Sequence, residues 1–359
     1  MKRKSIMLIV THKCNLNCVY CYEPKKTMGH MSLDTAKQII MSQLSELDSS
    51  VGKLEIQFMG GEPLMDFKLI KELSEWIWSQ QIDSLELVLF ASTNGTLLDD
   101  EMKSWFYNNR MRIVLGLSLD GNSFMQNLNR SNSYNHIDIG FFQNTWPNQG
   151  VKMTISPYTI SLLYDGVVSL HKQGFKNVSA DLAMGSHIMW TKESLSIYRE
   201  QLNKLIEFYV ENMDIRPFSM LGLDVRAVLD RKEINKTCSC GEDLICYDWD
   251  GEAYACHLFS PVTIERNLAI STRNRIDFSN HSNFTSITCE KCLLAGICNR
   301  CYGMNYICSG NVSVPSPFHC NAYKINYVAN CRLQLLKAIK NNQQDEINQI
   351  VKIINNIKL

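Results

Sequence analysis

Cys14-Asn15-Leu16-Asn17-Cys18-Val19-Tyr20-Cys21 lies just behind the apolar run Ile6 to Val10 and puts three thiols into one short loop. An ordinary four-iron cluster takes four cysteines, so three would leave one iron with an open coordination position. Zinc modules share short cysteine spacings, and on these three residues alone a zinc site stays open as the other reading. The surroundings of the loop carry the argument further. Ile6 to Val10 reads as a buried strand, and five more such runs follow at Leu54 to Phe58, Leu85 to Phe90, Ile113 to Leu117, Val151 to Ile155 and Asn177 to Ala180.

Helix-like stretches follow these runs in turn: Ser32 to Leu47, Asp66 to Ser79, Asp99 to Asn108, Ile137 to Trp146, Thr159 to Gln173 and Glu193 to Glu211. Strand-helix alternation repeated in this way predicts parallel strands joined by right-handed crossovers. The expected fold class is therefore α/β, a partial (β/α)6 TIM-like barrel rather than a closed eightfold one. Barrels of this kind carry their chemistry in the loops after the strands. The polar and glycine-rich clusters of this half all fall there: the cysteine loop, Gly60-Gly61-Glu62-Pro63, Ser92-Thr93-Asn94-Gly95 and Ser118-Leu119-Asp120-Gly121.

A chain of 359 residues has room for such a barrel and a further module. Its 36 basic residues balance 36 acidic ones, so no broad field draws it to nucleic acid or an anionic membrane. Of its 14 cysteines, three lie near the N-terminus and eleven between Cys238 and Cys331, an asymmetry that points to metal sites. Met1-Lys2-Arg3-Lys4 and the run after it imitate a secretion signal, but the run is short and no small-residue cleavage site follows. With no membrane-length apolar stretch either, the expectation is a cytoplasmic chain whose clustered thiols are ligands rather than disulfides. The expected division is a barrel over residues 1–215, a connector over 216–237, a cysteine-rich module over 238–331 and a helical tail over 332–359. The tail's apolar positions, Leu335, Leu336, Ile339, Ile347, Ile350 and Ile354, suit a docking helix that covers the module.

The three-cysteine loop after strand one and Gly-Gly-Glu-Pro after strand two together resemble the radical S-adenosylmethionine (SAM) enzymes. The resemblance implies a [4Fe-4S] cluster on Cys14, Cys18 and Cys21 whose open iron chelates the amino and carboxylate groups of SAM. It sets Tyr20 beside the adenine, and Gly60, Gly61 and Glu62 at the methionine group, where glycine lets a backbone approach closely. Thr93 and Asn94 match the third-strand loop, Ser118 lies near SAM, and Arg130 stands where related enzymes have an arginine facing a carboxylate. The His-Asp pair that commonly precedes that arginine is here Gln126 and Asn127. In this family the cofactor supplies the chemistry, a 5′-deoxyadenosyl radical that takes hydrogen from an unactivated carbon.

The later cysteines resemble the SPASM module of radical SAM enzymes that modify peptides or proteins. That resemblance implies two auxiliary [4Fe-4S] clusters: one on Cys240, Cys256 and Cys301, with Cys238 the nearest candidate for its fourth ligand, and one on Cys289, Cys292, Cys298 and Cys320. The family usually has three residues between the positions of Cys298 and Cys301, where this chain has only Asn299 and Arg300. By spacing alone a zinc ribbon is the competing reading. Cys246, Cys308 and Cys331 are left over, as buried small hydrophobes or, for any one of them near the active site, as a hydrogen donor to a substrate radical, Cys308 and Cys331 being the candidates for epimerisation.

The resemblance implies a maturase that installs an intrapeptide crosslink in a ribosomally made peptide, a thioether ahead of a carbon-carbon bond. Partners would be the peptide or protein substrate and a flavodoxin- or ferredoxin-type electron donor, with no nucleic acid and no membrane. The alternatives are an anaerobic sulfatase-maturating enzyme forming formylglycine, a peptide epimerase and a non-catalytic zinc-binding protein. Sulfatase-maturating enzymes place an aspartate after the cysteine matching Cys256. Here that residue is His257, which as a neutral imidazole can accept a proton.

Overall fold

The computed structural model describes residues 2–24, 26–80, 82, 85–229 and 236–356. Strand and helix alternate six times through residue 211, in the order that the apolar runs predict. The chain divides into two compact units: Met1–Ser118 with Ser133–Gln149 and Ser239–Asn280, and Leu119–Asn132 with Gly150–Cys238 and His281–Leu359.

In the first unit β1 (Lys2–Thr11), β2 (Val51–Gly60), β3 (Glu86–Thr93) and β4 (Ile113–Ser118) pair in sequence order, all parallel. Ile6, Leu8, Ile9 and Val10 on β1 are fully buried, a continuous apolar run of the kind parallel strands carry. Two of the intervening helices begin where a short polar side chain caps them: Ser32 Oγ accepts from Thr35 N at 3.0 Å and Asp99 Oδ1 from Met102 N at 2.8 Å.

The other edge of β1 is taken by β7 (Leu244–Tyr247), again parallel, and β8 (Ala253–Tyr254) pairs antiparallel with β7. Residues 239–280 of the expected 238–331 module therefore pack with the first four strands rather than with the later cysteines. The physical reason is an open strand edge, whose N–H and C=O groups must find partners. Cys246 sits fully buried on β7 in a small apolar cluster with Ile9 and Val262, so it is a packing residue.

The second unit holds β5 (Val151–Ile155) and β6 (Val178–Leu182), a parallel pair. The helix Lys192–Glu211 packs on Pro317–Lys340, where Arg332 Nη1 donates to Asn203 Oδ1 at 2.6 Å and the buried Tyr198 hydroxyl donates to Asn326. That second helix starts with proline in its first turn and runs past the expected boundary at 332. The tail proper is the helix Gln344–Asn356, whose Ile350 and Ile353 enter an apolar cluster with Val225, Val228, Leu294, Tyr327 and Cys331. Residues 230–235 of the expected connector and 357–359 of the tail lie outside the described residues.

Candidate active site

The cysteine loop starts at the last residue of β1 and is anchored at its base. His12, 3% exposed, has Nδ1 2.9 Å from Thr27 Oγ1 and Nε2 2.6 Å from Oδ1 of the fully buried Asp248. Asp248 follows β7, so the strand that closes the edge of β1 also fixes the root of the loop. Within the loop Cys21 N donates to Cys18 O at 3.1 Å, and the Lys26 ammonium donates to Leu16 O. Cys14, Cys18 and Cys21 are half-buried, Tyr20 is buried, and burial pushes the Cys14 thiol up.

Gly60 and Gly61 are required by this loop itself. A Cβ on Gly60, whose φ is +145°, would stand 2.1 Å from Thr11 O, and one on Gly61 would stand 2.4 Å from Lys13 O. The close approach lets Glu62 N donate to Lys13 O at 2.8 Å. The Glu62 side chain, 2% exposed, then ties the second loop to the third. Its Oε1 accepts from Thr93 Oγ1 at 2.8 Å and from Leu64 N at 3.1 Å, and its Oε2 accepts from Asn94 N at 2.8 Å. Asn94 Nδ2 donates to Asn15 Oδ1 at 2.9 Å, returning the third loop to the cysteine loop. The loops after β1, β2 and β3 thus form one hydrogen-bonded set.

Ser118 ends β4, half-buried. In the second unit Asp120 is fully buried and meets Arg130 twice, Nη2 donating to Oδ1 at 3.1 Å with Nε 3.1 Å from Oδ2. Arg130, expected to face a cofactor carboxylate, therefore has a carboxylate from its own chain. Asp120 also accepts from Thr154 N at 2.8 Å, while Gln126 Oε1 accepts from Asp120 N at 2.8 Å. The Gln126 that breaks the family pattern is thus part of the Asp120 turn.

Two buried titratable groups lie beside these elements in the first unit. Burial pushes Glu23 up to about 8 and His257 down to about 4, so both are neutral near pH 7. The His257 ring lies 5.5 Å from that of Tyr22, and its Nδ1 has no hydrogen-bond partner among the described residues. A neutral imidazole with a free nitrogen can accept a proton.

All 14 cysteines are free thiols. Cys240 and Cys256 lie in the first unit, where Gly241 N donates to Ala255 O at 3.0 Å and sets their backbones side by side. Cys238 and Cys301 lie in the second, and the Cys301 thiol, pushed up to about 11 by burial, also feels Cys238. Cys289, Cys292, Cys298 and Cys320 line one cavity of about 750 Å³ in the second unit, together with Cys301 and the exposed Cys308. A tight turn, Cys292 N donating to Cys289 O at 3.0 Å, presents the first pair, and the helix start at Ser316 presents Cys320. Burial pushes the Cys298 thiol up to about 12; Cys320, Cys289 and Cys292 add to that and Arg300 opposes it. Cys331 belongs to the apolar cluster around Ile350.

Zinc and a four-iron cluster make different demands on such thiols. Four thiolates on one zinc ion converge at about 2.3 Å from a single point, and among the described residues no three His, Cys, Asp or Glu side chains are grouped to hold one ion. In a four-iron cluster each thiolate binds a different iron, so a ring of thiols around a cavity is enough. The sequence reading missed His12, Asp248, Glu23 and Arg300. His12, Glu23 and Arg300 each lie within two residues of a cysteine of the motifs, the one signal available.

Residues 8–138 match the Radical SAM superfamily model. A radical SAM cyclopropyl synthase, TigE, of Paramaledivibacter caminithermalis is 23% identical over 90% of this chain and 72% of its own length. A cysteine-type anaerobic sulfatase-maturating enzyme of Clostridium perfringens is 30% identical over 33% of this chain and 32% of its own. Among solved structures, native anSMEcpe with bound AdoMet and Kp18Cys peptide matches with a TM-score of 0.71 at 17% identity, over 97% of this chain and 100% of that one, a likeness of fold.

Proposed function

The chain belongs to the radical SAM superfamily and is an enzyme that uses SAM and a [4Fe-4S] cluster, and from that premise we propose that it closes a crosslink within a peptide. A thioether is the first product and a carbon-carbon bond the second. The observation that carries this reading is the ring of Cys289, Cys292, Cys298 and Cys320 around its cavity. A peptide substrate is supported by the solved structure of the same fold with AdoMet and a peptide bound. The cyclopropyl synthase favours the carbon-carbon bond as the second product.

Bound at a cluster on Cys14, Cys18 and Cys21, SAM supplies a radical that accepts hydrogen, and clusters on the later cysteines, one of them on Cys289, Cys292, Cys298 and Cys320, supply an electron acceptor. Cys240 and Cys256, side by side in the first unit, are proposed ligands of the other. Forming a thioether removes one hydrogen atom, one electron and the thiol proton from the substrate. The chain's own part is to hold the loops and to take that proton. Glu62 and Asn94 fix the loops after β2 and β3 against the cysteine loop, so Tyr20, Gly60, Gly61, Thr93 and Ser118 meet SAM as a rigid surface. His257, neutral and with no hydrogen-bond partner for Nδ1 among the described residues, takes the proton. The first electron comes from a flavodoxin- or ferredoxin-type donor. Among the described residues no helix is long and apolar enough to cross a membrane.

Formylglycine formation is the second reading, favoured by the 30% identity to the sulfatase-maturating enzyme across the first third of the chain. The two are separated by anaerobic incubation with SAM, dithionite and cysteine-bearing peptides encoded beside the gene. The expected product is lighter by two hydrogens and no longer alkylates at cysteine. A new aldehyde in place of a cysteine or serine would establish the second reading instead. His257→Ala should slow product formation and remove the acid limb of its pH profile, while SAM cleavage without peptide stays unchanged.

A further inference from the structure

Arg300 is the most exposed contradiction in the second unit: a guanidinium that is 94% buried by its 6% exposure, with Nε, Nη1 and Nη2 all lacking a hydrogen-bond partner among the described residues. An arginine is charged at any accessible pH, and a buried charge left without a partner is strongly destabilising. The residue lines the same cavity as Cys289, Cys292, Cys298 and Cys320, and its charge bears on the Cys298 sulfur. Asp181, which also lines that cavity, pairs with Lys152 and does not answer it. Of the residues lining that cavity, Cys298, one of the four cysteines, is the one whose titration its charge affects.

We propose that Arg300 is the electrostatic partner of the iron-sulfur cluster on Cys289, Cys292, Cys298 and Cys320, donating hydrogen bonds to its sulfurs and raising its reduction potential. This rests on the reading of those four cysteines as auxiliary cluster ligands. Four thiolates outweigh the charge of a four-iron core, so the cluster is an anion, and reduction adds one more negative charge. A fixed cation and donors to sulfur stabilise the reduced form more than the oxidised one. Burial enlarges the effect, because little water screens it. Arg300 stands in the short spacing of this chain, where only two residues separate Cys298 from Cys301. The arginine thereby makes the cluster a better acceptor for the electron that crosslinking releases.

The test is anaerobic redox titration of the full-length, iron-loaded protein followed by electron paramagnetic resonance, preceded by iron and sulfide counts. Arg300→Gln and Arg300→Met should lower the midpoint of one auxiliary cluster. The expected shift is a roughly tenfold fall in the reduced-to-oxidised ratio at fixed potential, about 59 mV for one electron. Arg300→Lys should keep most of the wild-type value. Should both neutral variants lose that cluster while the lysine variant retains it, the role of the charge is supported as well. A wild-type protein holding only about four irons, those of a single cluster, would overturn the ligand reading and the inference with it. Full iron content with unchanged midpoints in all three variants would overturn the inference alone. If those variants instead bind an acidic peptide substrate more weakly, the guanidinium belongs to a substrate carboxylate. Loss of the cluster in all three variants, lysine included, would reduce Arg300 to a structural role.

Discussion

The cysteine loop after β1 and the cysteines around the second unit's cavity differ in how the protein treats the polar groups beside them. Around the first, the buried groups answer one another: Glu62 accepts from Thr93, Leu64 and Asn94, and His12 meets Asp248. Around the second, Arg300 has no hydrogen-bond partner among the described residues. A site whose supports are satisfied within the protein keeps its shape when its metal is removed; a site with a bare buried charge depends on what it binds.

The largest effect should come from replacing Cys14, Cys18 and Cys21 together by alanine. Iron should fall by about four per chain, the content of one cluster, and SAM cleavage under dithionite should vanish. Leu16 N donates to Cys14 Sγ at 3.5 Å and Cys21 Sγ to Glu23 O at 3.6 Å, but sulfur is a weak partner and the shorter bonds that hold the loop come from other residues, so the unfolding midpoint of the metal-free protein should move little. A large drop in that midpoint would break the comparison, because the thiols themselves would then be holding the loop.

Glu62→Ala attacks those supports directly. It strands Asn94 N, Leu64 N and the Thr93 hydroxyl, and each buried unsatisfied donor costs about 1–3 kcal/mol. A loss of about 4 kcal/mol in denaturant unfolding is expected, with SAM affinity falling alongside. Glu62→Gln, which keeps one acceptor oxygen, should lose less.

Ile350→Ala probes the second region from its far side. Ile350 is fully buried against Leu294, Tyr327 and Cys331, with Cys292 and Ile297 packed on the same cluster. Truncation should cost about 3 kcal/mol, within the range for buried isoleucines. Because Cys292 leans on that cluster, iron should leak from the cavity set on dilution while SAM cleavage persists. Parallel loss of both would mean that the two regions are not independently supported.

The alternation of strands and helices was readable because each buried strand is a run of apolar residues long enough to stand out, and the loop chemistry was readable because cysteine and glycine are rare and closely spaced. β7 was not readable: four residues inside a turn-rich, cysteine-rich stretch carry no period, and only the open edge of β1 gives them a partner. Glu62 was legible as a motif member, but its work as a tie between loops depends on Asn94, far off in the chain. Arg300 was named only as a spacer residue. Burial without a partner is a property of the folded cavity, which spacing cannot disclose.

The smallest effect is a pH dependence placed away from either cysteine set. His171 on the helix Leu163–Lys172 has Nδ1 3.0 Å from Phe175 O and Nε2 2.9 Å from the Tyr209 hydroxyl, which itself accepts from Phe218 N at 3.0 Å. With Nδ1 donating to the carbonyl, Nε2 accepts from Tyr209, and the neutral ring uses both nitrogens. Burial holds its pKa below the usual imidazole value. The unfolded chain therefore takes up a proton at about pH 6.5 while the folded one resists. Stability present above that pH should decline as the pH falls through it, because protonation turns Nε2 from acceptor into donor against the Tyr209 hydroxyl. His171→Gln should flatten this limb slightly in metal-free protein, measured by urea unfolding between about pH 5 and 8. If the limb persists unchanged, the acid sensitivity lies with groups beside the cysteines, and the claim that the first region is self-supporting would have to be tested against Glu23 and His257.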